Sequence, residues 1–84
     1  MVQDDLRSRL VLVVKEHFRL RRELLGQLIA AEEVKQLTNG FLYGVQHTLE
    51  AVGGHSDEAQ LAAHLRLHIN RDKVDEANAM VDAL

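Results

Sequence analysis

The five histidines are the most conspicuous chemical resource of this 84-residue chain. His64 and His68 stand four apart, a spacing that puts two imidazoles on one side of a helix, where they could hold a divalent ion or titrate together near neutral pH. The residues between them are Leu65, Arg66 and Leu67, so the glutamate of a zinc-protease HExxH pattern is missing, and only His47, Glu50 or His55 could be recruited as further ligands. The plainer reading is that His64 and His68 border the apolar stripe of Leu61, Leu65 and Ile69. No metal site and no cofactor are expected.

His17 is a different case. It lies in the middle of the apolar face of an N-terminal helical pattern, with Arg21 one turn further on the same side. A polar group there must be paired, because desolvating it alone costs roughly 1–3 kcal/mol and more if it is charged. Two roles fit. The pair could fix register in a helix–helix interface, with a carboxylate on the second helix or on a partner chain as acceptor. Alternatively Arg21 snorkels to the edge and His17 finds a backbone carbonyl.

Arg19, Leu20, Arg21 and Arg22 form the one basic cluster, and with Arg7 these arginines define the nucleic-acid alternative: a dimeric regulator that brings Arg7, Arg19, Arg21 and Arg22 together by symmetry. Three features make this the weaker reading. Glu16 and Glu23 flank the cluster, the whole chain carries a net charge of -3, and the last helical segment, which would be the recognition helix of a helix-turn-helix, is rich in Asp and Glu. Nucleic acid is not the expected partner.

Enzyme chemistry finds few candidates. There is no cysteine nucleophile and no glycine-rich phosphate loop; Ser8 and Ser56 have no evident base, and the adjacent carboxylates Asp4-Asp5, Glu32-Glu33, Asp57-Glu58 and Asp75-Glu76 suit helix N-termini. The chain is therefore expected not to be an enzyme.

The elements that must position these groups are read from periodicity. A composition without proline, low in glycine and poor in aromatics suits an all-α chain, and 84 residues allow one domain, 1–84. At about 100° per residue, Leu6, Leu10, Val13, Val14, His17, Leu20, Leu24, Leu25 and Leu28 share one face of a first helix spanning Asp4 to Ala31, widened by Val11, Phe18 and Ile29. Leu12 sits in the polar half. Such a helix is about 42 Å long, against a radius of gyration of roughly 12 Å for a compact chain of this size, so it either kinks near Gly26 or projects toward a partner. By β-branching alone, Arg9 to Val14 could be a strand, but with no second strand candidate it could pair only with its copy in another subunit, and a helix is expected.

A second helix, Glu33 to Val52, aligns Val34, Leu37, Phe41, Leu42, Val45, Leu49 and Val52, with Thr38 and Thr48 beside them. The stripe keeps its phase through Asn39-Gly40, which argues for continuity against a turn there. Gly40, Gly44 and Ala51 would form a small-residue edge open to close helix approach. Gly53-Gly54 stops the helix, Ser56 is the expected N-cap of a third, and Asp72 or its neighbour opens a short fourth carrying Val74, Ala77, Val81 and Leu84.

The expected architecture is thus an all-α small helical bundle: a long N-terminal helix, a second antiparallel to it and two short C-terminal helices, dimeric in solution. The expected function is protein–protein interaction, as a small homodimeric adaptor, chaperone or regulatory protein. Leu6, Leu10, Val13, Leu20, Leu24 and Leu28 would be buried against a second copy or another protein, with His17 and Arg21 giving specificity. Burying one such side chain is worth roughly 1.5–3 kcal/mol. The acidic start and the shortness of the apolar run Leu10 to Val14 suggest a cytoplasmic protein without a membrane span. A third, less favoured function is a metal or pH-sensing module on His64 and His68.

Overall fold

In a computed structural model describing residues 2–25 and 31–84, with 2–5 described by backbone alone, the chain forms four α-helices. They are α1 (Val2–Leu25), α2 (Ala31–Val52), α3 (Ser56–Asn70) and α4 (Val74–Asp82). No strand occurs among the described residues, so Arg9 to Val14 is helical. The first helix starts two residues earlier than its charge pattern suggests. Ala31 opens α2 and does not close α1. Leu28, Ile29 and the expected kink at Gly26 lie outside the described residues.

With 24 residues, α1 is about 36 Å long at 1.5 Å per residue, close to the 41 Å long axis of a molecule only 19 Å across. The helix therefore runs the length of the fold. Returning along it, α2 is antiparallel: Arg21 meets Thr38 and His17 meets Phe41. The two remaining helices close the other side. Val14 and Phe18 of α1, Leu42 of α2, Leu65 and Ile69 of α3, and Ala77 and Val81 of α4 form one buried cluster, with Leu10, Leu61, Val74 and Leu84 against it.

α2 passes unbroken through Asn39-Gly40. The apolar stripe explains why: Val34, Thr38, Leu42 and Leu49 are all buried along one line, and a turn at Asn39 would throw the second half out of phase. The helix ends where Gly53 and Gly54 adopt φ of 81° and 78°, a backbone shape that side-chain-bearing residues enter at a cost. The expected capping of α3 is shifted by one residue. His55 occupies the cap position without a side-chain cap hydrogen bond, and Ser56 is already the first helical residue.

The α3–α4 corner is a Schellman-type stop, in which the Lys73 N–H reaches the His68 carbonyl at 2.8 Å and the Asp72 N–H reaches Ile69 at 3.1 Å. Asp72 takes the left-handed position that glycine usually fills, with φ 58°. Its carboxylate accepts from Lys35 Nζ at 3.0 Å, tying the corner to α2. Arg66 of α3 clamps α2 with polar contacts. It donates from Nε to Asn39 Oδ1 at 3.1 Å and from a terminal nitrogen to Gln46 Oε1 at 3.3 Å, while its guanidinium lies 4.7 Å from the centre of the Tyr43 ring.

Candidate functional site

The site is assembled where α1 and α2 run side by side on the edge that α3 and α4 leave uncovered. Helical spacing puts His17 and Arg21 on adjacent turns of α1, and the α2 stripe delivers Thr38 between them. Arg21 Nε donates to Thr38 Oγ1 at 3.2 Å, and His17 Nε2 lies 3.1 Å from the same oxygen. With imidazole neutral and protonated at Nδ1, the hydroxyl accepts from Arg21 Nε and donates on to His17 Nε2, so one buried Thr is partner to both side chains. Thr38 is 0% exposed and Arg21 only 5%. The His17 ring also stacks on Phe41, with centroids 4.3 Å apart and planes within 7°, and meets Phe18 edge-on at 6.1 Å.

The electrostatics follow from this packing. Burial holds the His17 pKa below its ordinary 6.5, and the neighbouring Arg21 charge pushes it further the same way. Burial also lowers the pKa of Arg21. Among the described residues no carboxylate pairs with the Arg21 guanidinium; on α2 the partner of both His17 and Arg21 is the neutral Thr38 hydroxyl, neither a carboxylate nor a backbone carbonyl.

Beside this triad lies a groove of about 200 Å³ whose floor includes Arg21 and Thr38 and whose walls are Leu20, Leu24, Val34 and Leu37. The expected interface stripe of α1 divides here. Val14, Phe18 and Arg21 turn into the fold, while Val13 (51% exposed) and Leu20 (43%) remain on the surface. Leu6, Leu10, His17 and Leu24 are half-buried between these extremes. Across the groove, Leu37 is 57% exposed, Phe41 is half-covered, and a methyl group added at Gly40 or Gly44 would meet nothing within 4 Å. The small-residue edge of α2 therefore faces open space beside the same groove.

The other candidate residues are dispersed. Arg7 bonds Glu58 on α3 at 2.9 Å, Arg22 reaches Asp82 on α4 at 3.5 Å, and Arg19 is held by Glu16 and Glu23 on its own helix. With Arg21 buried, the four arginines of the nucleic-acid alternative point to four different places. His64 is exposed and His68 half-buried, and among the described residues no three His, Cys, Asp or Glu side chains gather where they could hold a metal ion. His47 lies 3.3 Å from Glu50, and His55 lies 3.5 Å from Glu58. No helix among the described residues is long and apolar enough to cross a membrane.

Thr38 and Phe41 are the site residues that the chemical inventory passed over. Both stand in the α2 stripe, and their phase relative to His17 was the available signal. Comparison with protein-family models, with curated proteins and with solved structures finds no match to this chain.

Proposed function

We propose that the protein is a non-enzymatic protein–protein interaction module that pairs with a second copy of itself through the uncovered side of α1 and α2, as a small homodimeric adaptor, chaperone or regulatory protein would. The observation that carries this reading is the groove between α1 and α2 walled by Leu20, Leu24 and Leu37, with Val13 exposed two turns before Leu20 on the same face of α1. A chain of 9.5 kDa is expected to expose about 5,000 Å² as a compact monomer, and this one exposes 5501 Å². Two helices from each copy, laid face to face, would complete a four-helix arrangement and remove those side chains from water. At about 25 cal/mol per Å² of apolar area, a standard interface of roughly 800 Å² per partner outweighs the entropy of association when its centre is well packed.

Solution mass by light scattering after size exclusion tests the reading. Wild type is expected to be a dimer, and the double substitution Leu20→Asp, Leu37→Asp a helical monomer, since both positions are exposed in the single chain. A wild-type monomer at high concentration, or a dimer indifferent to the two aspartates, overturns the proposal.

A further inference from the structure

We infer that Arg21 is the receptor for a carboxylate delivered by the second copy, and that this carboxylate is Glu33 of α2. The inference deepens the dimer reading and rests on it. Arg21 is nine-tenths buried, it lines an apolar groove open on one side, and no acid of the described chain pairs with it. A guanidinium in such a place is costly to leave without a counter-charge, and its planar fork is matched to a carboxylate.

Charge and position select the donor. Arg7, Arg19 and Arg22 have already taken Glu58, Glu16, Glu23 and Asp82. Asp57, Asp75 and Glu76 belong to α3 and α4, which pack against the other side of α1 and α2. Glu50 lies beside His47 and Asp72 beside Lys35, so among the acids whose side chains are described Glu32 and Glu33 remain, in the first turn of α2. Glu33 stands four residues before Leu37 and shares its helix face, whereas Glu32, one residue earlier, is turned about 100° from it. Glu33 is exposed and makes no ion pair among the described residues, and it adjoins Val34 in the groove wall. In a twofold pair each contact occurs twice, so Glu33 of each copy meets Arg21 of the other, and two charges are neutralised within an apolar rim. Hydroxyl, imidazole and guanidinium then fix the register of an interface whose leucines alone would tolerate sliding.

The test is a double-mutant cycle on the dimer dissociation constant, measured by analytical ultracentrifugation with Glu33→Gln, Arg21→Met and the pair. Glu33→Gln alone is expected to weaken the dimer at least about tenfold, and to have no further effect once Arg21 is Met. Should Arg21→Met not fold, Glu33→Lys serves in its place: it alters only an exposed residue, and is expected to weaken the dimer more than Glu33→Gln by repelling Arg21. A dimer unchanged by both Glu33 variants, or weakened equally by Glu33→Gln in both Arg21 backgrounds, overturns this inference and leaves the dimer reading standing. A wild-type monomer overturns both. If the Arg21 side-chain NMR signals of that monomer shift on adding hexanoate, the groove takes a small carboxylate and not a second copy.

Discussion

The two long sides of α2 solve the problem of burial in different ways. Toward α3 it packs Leu42 against Leu65 and Ile69 with no exposed area left, and Arg66 bridges the rim to Asn39 and Gln46 in partly solvated surroundings. Toward α1 its most buried residue is a threonine, closed over by an arginine and a histidine, with leucines standing open on either hand. At its centre the first side excludes water by apolar volume. The second side pairs Arg21 Nε and His17 with one hydroxyl at its floor and leaves apolar walls uncovered, the character that the proposed association surface requires.

Substitutions that separate the sides should show this difference most strongly. Leu65→Ala removes a fully buried side chain and is expected to cost about 2–5 kcal/mol of folding stability in urea, whereas Leu37→Ala, measured at protein concentrations low enough to keep the chain monomeric, should cost no more than about 0.5 kcal/mol. Equal losses would erase the distinction between a folding side and a binding side. Thr38→Val keeps the shape of the floor and removes its hydroxyl, leaving both Arg21 Nε and His17 without that partner. A loss of about 1–3 kcal/mol is expected by the same denaturation assay, and a neutral result would show that the triad is incidental.

The mildest probe is pH. The folded chain keeps His17 neutral below its ordinary 6.5, while the unfolded chain takes up a proton there, so the unfolded state binds more protons as pH falls. The His17 contribution is complete above about 6.5 and is lost progressively below it, down to the lowered folded value. His17→Gln should flatten the stability profile in that interval. An unchanged slope would assign the acid response to other groups.

Much of the architecture was legible because it is local. The 3.6-residue stripe of α2, unbroken in phase, overrode the turn signal of Asn39-Gly40, and the paired glycines at 53 and 54 marked its end. The site was legible in part: His17 and Arg21 stood out as polar residues in an apolar face, but Thr38 as their common partner did not. An acceptor is chosen by which residue a neighbouring helix sets opposite, and that depends on the rotation and offset of two helices, not on either pattern alone.

By itself the sequence determined that the chain is helical, where α2 stops, and that His17 and Arg21 would need partners, since period, glycine backbone freedom and the cost of desolvation act within a few residues. Only the tertiary structure decided which part of the broad α1 face turns inward. Val14, Phe18 and Arg21 were drawn in while Val13 and Leu20 were left out, because α4 and α2 must be met at once, and Arg22 with Asp82, sixty residues apart, lies at one of those contacts. A face too wide for one neighbour has no unique phase of its own. The surrounding helices select it, and they leave Val13 and Leu20 uncovered.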